Sequence, residues 1–156
     1  MNALDEIFGT SPDAESGAGV VLDYGRAGKF TIHRAGGSNR KFEKRREALM
    51  KPYTRQIQTN TMDDDVAKKL FAQLYAETVV VGWNGVPGDD GADRAFTVEN
   101  VTEVLIRYPD LFADIRAAAN DRSLFLADAQ EAAVGNSPKA SAGTSSGANK
   151  PSGSPS

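Results

Sequence analysis

One histidine, three aspartates in a row and a glycine-rich acidic loop are what this 156-residue chain offers to chemistry. His33 could serve as a general base, but a triad needs Ser and Asp partners and no Gly-x-Ser-x-Gly elbow occurs. Its place in "KFTIHR", on the face opposite Phe30 and Ile32 and beside Arg34, reads as an exposed strand residue. Asp63, Asp64 and Asp65 occupy adjacent positions of a predicted helix start, so they diverge rather than converge on a substrate, and they suit the positive end of the helix dipole. The loop "GWNGVPGDDGAD" has the glycines of a phosphate cradle but lacks both the Gly-Lys-Ser/Thr of a P-loop and the strand-then-helix setting of a dinucleotide site. Counted as a calcium loop from Asp89, its twelfth position should be a bidentate Glu and is Asn100. Asp89, Asp90 and Asp93 therefore read as a solvated acidic turn. With no cysteine, disulfides, thiolate metal sites and cysteine nucleophiles are excluded together. No enzyme activity, cofactor or metal is expected.

Charge is distributed unevenly behind a net value of −3. From Arg26 to Arg55 ten Lys and Arg stand against Glu43 and Glu47, whereas from Gln56 to Val134 fourteen Asp and Glu stand against six Lys and Arg. The molecule is an electrostatic dipole unless the two sections fold against each other. "MNALDEIFGT" carries Asp5 and Glu6 where a secretory signal would need positive charge, and no segment approaches the roughly 18 apolar residues of a membrane span. The expectation is a soluble cytoplasmic protein.

The elements that must position these residues are an α+β set dominated by helices. Residues 1–18 read as a flexible arm, and 135–156, "GNSPKASAGTSSGANKPSGSPS", hold no large apolar side chain to offset the entropy of ordering, so that tail is expected to be disordered. Between them, 19–134 form one globular domain: a hairpin over 19–34, then about four helices over 38–133. "GVVLDY" and "KFTIHR" alternate in polarity around Gly25-Arg26-Ala27-Gly28, with Val20, Leu22, Phe30 and Ile32 on the buried face. A lone hairpin is marginal in water, so a helix or a partner must cover that face.

A short basic helix follows, capped by Ser38 or Asn39, edged by Phe42, Leu49 and Met50, and stopped by Pro52. The strongest helix runs over 62–83, capped by Thr61 with Asp64, and carries Val66, Leu70, Leu74 and Val81 on one stripe widened by Phe71, Tyr75 and Thr78. The β-branched run Thr78 to Val81 stays in phase with it, and a strand there would have no obvious mate, so the helix is expected to end near Gly82 to Trp83 with Asn84-Gly85 as its left-handed exit. Thr97 caps a helix over 98–108, where Val98, Val101, Val104 or Leu105, and Tyr108 follow helical spacing, and Pro109 opens the last one, over 110–133, with Leu111, Phe112, Ile115, Ala119 and Phe125 or Leu126 inward.

Two groups remain as candidate partner-binding residues. Arg40, Lys44 and Arg45, with Lys41 and Arg46, make a dense patch whose phosphate contacts could give nonspecific nucleic-acid affinity. The acidic helices beyond would repel a polyanion or pair with the patch, and there is neither a recognition-helix pair nor aromatic-basic interleaving. An acidic protein partner or internal pairing is preferred, and a small nucleic-acid-binding regulator using helix 39–51 is the alternative. Trp83 either closes the core at the end of the long helix or, with Val86 beside it, anchors an interface.

The order of elements and several strings resemble the tail assembly chaperones of long-tailed, siphovirus-like bacteriophages. "RAGGSNRKFE" and "KPYTR" after the hairpin are similar to the N-terminal half of those proteins, and "AETVVVGWNGV", "FTVENVTEVLIRYPDLFADI" and "AANDRSLF" to the C-terminal half. The resemblance implies a non-enzymatic role: binding the tape measure protein, keeping it soluble, and recruiting tail tube protein. It also implies absence from the mature virion and a longer frameshifted form in many members. Several copies coating one long partner in the host cytoplasm, with self-association left open, is the corresponding expectation. The long C-terminal tail departs from the family's more compact ends. A minor structural virion protein is the third alternative.

Overall fold

The computed structural model describes residues 2–127. The expectations for the disordered tail, 135–156, and for helix at 128–133 lie outside them. The order is α1 (Ala3–Phe8), α2 (Pro12–Ser16), β1 (Val20–Asp23), β2 (Lys29–Ile32), α3 (Arg40–Met50), α4 (Thr54–Gln58), α5 (Asp64–Thr78), β3 (Val80–Asn84), α6 (Val98–Arg107) and α7 (Pro109–Ala119). Three 3-10 turns punctuate it at Gly25–Ala27, Lys51–Tyr53 and Arg122–Phe125. The fold is α+β and mainly helical, as expected.

The hairpin forms with its alternation intact. Val20 pairs with Ile32 and Leu22 with Phe30, and Phe30 and Ile32 sink fully into the core. Gly28, at φ +105, is required at the loop exit: a Cβ there would stand 2.7 Å from Val86 Cγ2 and 2.8 Å from the Asn84 carbonyl oxygen.

One expectation fails here. The helix expected over 62–83 stops at Thr78, and Val80–Asn84 form a third, antiparallel strand on the free edge of β2, with Phe30 opposite Trp83 and Lys29 opposite Asn84. The β-branched residues follow their strand preference because an edge waits for them some fifty residues upstream, which local periodicity cannot reveal. Ile32 pairs with Val80 across a register shift, and the backbone N–H of His33 donates to the Val79 carbonyl at 2.8 Å, so the sheet extends to the helix end. Within α5 the cap also differs: Asp63, not Thr61, accepts from the N–H groups of Asp65 and Val66. Leu74, Tyr75 and Thr78 are buried, but Phe71 and Val81 are exposed.

Two further corrections concern the ends. Residues 1–18, expected as a flexible arm, contain α1 and α2 and are stitched to the body: Ser11 N–H donates to the Phe125 carbonyl, Ala127 N–H to that of Gly9, and Thr10 bridges Leu126. Ala14 and Glu15 are buried. The stitching is backbone pairing with a segment over a hundred residues away, so low apolar content alone was a poor guide. The last helix ends at Ala119 rather than running through 127, because Asn120 turns its amide back to the Arg116 carbonyl and Asp121 caps the following 3-10 turn through Ser123 N–H. That turn places Phe125 in the core.

The core is one cluster running from Ala14 to Phe125. Two edge-to-face aromatic chains cross it, Tyr24–Phe30–Trp83–Phe96 on the sheet side and Phe42–Tyr75–Phe112 among the helices.

Candidate functional site

Helices α5 and α6 pack together and leave a groove of about 890 Å³ between two ridges. Val66, Leu70 and Gln73 stand at helical spacing on α5, and Val98, Thr102 and Ile106 do so on α6. Thr97 starts α6 by accepting from Asn100 N–H at 3.0 Å, which sets the phase: Val101, Val104 and Leu105 face the core, while Val98 and Ile106 stay 41% and 40% exposed. Lys69, Glu99, Glu103 and Arg107 rim the groove and Tyr53 closes part of it. On the other side of Ile106 a smaller depression continues past Phe71, also 41% exposed, so apolar surface runs across both helices. An apolar floor of this kind with a mixed-charge rim fits the apolar stripe of a partner helix.

A second cleft of about 640 Å³ lies between the hairpin turn, the loop after β3 and the α6–α7 corner. Its floor is apolar, with Phe30, Val86, Val104 and Leu111, and the Tyr24 hydroxyl donates to Asp114 across it. Burial, and then the hydrogen bond and charge of Asp114, push the Tyr24 phenol well above its ordinary value, so it remains a donor at any physiological pH.

The five candidate partner-binding residues do not come together. Trp83 is 8% exposed; its ring packs against Phe30 and Phe96 and its Nε1 donates to the Arg94 carbonyl at 3.1 Å. It takes the core place. Val86, 5% exposed, sits at the floor of the second cleft. On α3, Arg40 and Lys44 are exposed, whereas Arg45 forks onto Glu77 of α5, Nη2 to Oε2 at 3.2 Å, and Glu77 also accepts from Gln73. Burial raises the Glu77 carboxyl, the Arg45 and Gln73 hydrogen bonds lower it, and the net shift is down. Arg46 pairs with Glu43 of its own helix. Part of the basic patch is thus neutralised within the fold, which is one of the two preferred readings of it.

The candidate catalytic residues are likewise tied to structural roles. His33 Nε2 bonds the Gly17 carbonyl at 2.9 Å. Asp89 pairs with Arg107 and Arg94, and Asp90 accepts from Ala92 N–H within its own turn. Among the described residues no group of three or more His, Asp or Glu is placed to hold a metal ion. None of their helices is long and apolar enough to cross a membrane.

Sequence reasoning missed the α5–α6 groove as a site. Its signal was present on α6: Ile106 lies about 100° or more around the helix from both Leu105 and Val101, off the core stripe, whereas Val98 is in phase with Leu105 and stays exposed because it stands in the first turn.

A profile of the YdaY prophage protein family matches residues 37–136. The chain belongs to the YdaY prophage protein family. It is therefore phage-related, and the matched segment spans α3 to α7 with both ridges of the groove but not the hairpin. No curated protein and no solved structure matches the chain.

Proposed function

We propose that this YdaY-family protein is a tail assembly chaperone: it holds the tape measure protein soluble in the host cytoplasm by covering apolar stripes of that long helical partner, assists assembly of tail tube protein, catalyses no reaction, and leaves before the virion is complete. The observation that carries the reading is the α5–α6 groove, where Val98 and Ile106 are exposed, together with the adjoining depression that exposes Phe71. A stable body offering apolar surface between charged rims can shield many similar helical segments, because such contacts depend on spacing rather than on one sequence. Individually weak contacts repeated along one partner add through effective concentration. The choice of tape measure protein as the partner is supported by the resemblance of the quoted strings to tail chaperones and is in keeping with a prophage family.

The test is co-expression of the chain with the tape measure protein of the same prophage. The wild-type chain keeps the partner in the soluble fraction and co-purifies with it, and Val98→Asp with Ile106→Asp abolishes both effects while the chain itself stays folded. Tape measure protein that aggregates equally with and without the chain would overturn the proposal. Mass spectrometry of purified particles separates a chaperone, which is absent, from a structural component, which is present.

A further inference from the structure

α1 has the features of a ligand rather than of a packed element. Its six residues, ALDEIF, contribute nothing to the core, and Leu4, Ile7 and Phe8 are 69%, 50% and 53% exposed. They sit at i, i+3 and i+4, on one face of the helix. An Asn2–Asp5 capping box holds the helix formed, and Phe8 is steadied beneath the Arg122 guanidinium at 4.6 Å. Asp5 and Glu6 make it acidic, and among the described residues neither has an ion-pair partner.

The complement lies elsewhere on the same chain. Where α3 passes through the turn at Lys51–Tyr53 into α4, a groove of about 880 Å³ opens over Ala48, Met50 and Ile57, edged by Lys44, Arg46 and Lys51. Ile57 is 47% exposed. Glu47 is the one carboxylate in its wall, and among the described residues Lys44 and Lys51 have no ion-pair partner. An acidic helix with three apolar side chains on one face thus meets a basic groove with an apolar floor.

We infer that α1 of one copy docks in the α3–α4 groove of a second copy, so that the chain assembles head to tail. A second copy is the occupant because α1 is pinned at its C-terminal end. Gly9 N–H closes onto Asp5, Gly9 carbonyl takes Ala127 N–H, and Thr10 bridges Leu126. Meanwhile α3 starts beside Ser16 and Ser38 and carries the groove away to its far end. Among the described residues no hydrogen bond, ion pair or ring contact joins α1 to α3 or α4. Because donor and acceptor are different surfaces, each added copy presents a fresh donor at one end and a fresh groove at the other. The contact is heterologous and propagates into a row or ring instead of stopping at a dimer. The two grooves share no lining residue, and the inference does not depend on what the α5–α6 groove binds.

The experiment uses the full chain alone, in sedimentation velocity from micromolar to millimolar concentration. Wild type is expected to grow past the dimer as concentration rises and to revert as salt screens the charge pairs. Leu4→Asp with Ile7→Asp removes the donor, and Lys44→Glu with Lys51→Glu removes the acceptor. Each variant stays monomeric with unchanged helical circular dichroism, all four positions being exposed or at the groove edge. Mixed one to one, the two variants form a heterodimer and nothing larger, since one good donor meets one good groove. The donor-side charge reversal Asp5→Lys with Glu6→Lys restores binding to the Lys44→Glu, Lys51→Glu chain. A wild type that is monomeric throughout, as it would be if the groove took only an acidic helix of another protein, overturns the inference. So does a dimer that grows no further, or assembly that survives either variant.

Discussion

Asn39 donates its side-chain amide to the carbonyl of Thr78 at 2.8 Å, so the residue that opens α3 also closes α5. The same amide donates to the Arg34 carbonyl at 2.8 Å, and Asn39 is 3% exposed. One buried side chain therefore satisfies two carbonyls left over where a strand exit and a helix end meet. A serine or aspartate, the other common residues at a helix start, carries no such pair of donors.

Asn39→Ala is predicted to cost about 1–3 kcal/mol, because it strands buried carbonyls instead of merely deleting a bond. Urea unfolding followed by circular dichroism measures it. An unchanged midpoint would show that water replaces the amide at no cost.

Glu15 is expected to contribute to the acid limb of stability. It is 2% exposed and accepts from Arg34 Nη1 at 2.6 Å and from Ser38 N–H at 3.0 Å. Burial raises its carboxyl, the Arg34 and Ser38 hydrogen bonds lower it, and the net position is below the usual carboxylate range. A folded-state pKa below the unfolded one means stability that is fully present above the ordinary carboxylate pKa and is lost as pH falls through the depressed folded value. Wild type should thus lose stability on acidification more steeply than Glu15→Gln. Unfolding midpoints from pH 7 to pH 3 test this, and parallel curves would place the acid sensitivity elsewhere.

Trp83, 8% exposed, is expected to report on folding rather than on partner binding. Its ring lies between Phe30 and Phe96 at centroid distances of 5.5 and 5.6 Å. Native emission is expected to be blue-shifted, to move red on unfolding, and to hold its position when a helical ligand occupies the α5–α6 groove. Trp83→Ala is predicted to cost about 3–5 kcal/mol as a large core truncation. A red-shifted native spectrum would put the indole in water and refute the core placement.

Gly28→Ala should destabilise the sheet as well as the turn. The added methyl needs φ near +105 and collides with Val86 and the Asn84 carbonyl, so the hairpin and the exit of β3 must separate. A loss of about 1–3 kcal/mol is expected. Gly25→Ala, where a Cβ meets nothing within 4 Å, should cost less and serves as its control.

Arg45→Ala is expected to cost no more than about 1 kcal/mol, since the Arg45 side chain is 39% exposed and water screens its pairing with Glu77. A larger loss in thermal unfolding would mean that the pair clamps α3 to α5.

What the sequence determined by itself is everything that depends on neighbours in the chain. The alternation of Val20, Leu22, Phe30 and Ile32 and the glycines between them specify a hairpin; Thr97 and Pro109 specify where α6 and α7 begin. The tertiary structure alone decided what depends on distant pairing. Val80–Asn84 are a strand because β2 has a free edge, residues 10–18 are ordered because Thr10 bridges Leu126 and the Phe125 carbonyl accepts from Ser11 N–H, and Arg45 is spoken for because Glu77 of α5 lies beside it. The grooves are of the same kind. Leu70 and Val98, or Met50 and Ile57, share a surface only once their helices have packed, because helix periodicity fixes which way a side chain points and only packing fixes what stands opposite it.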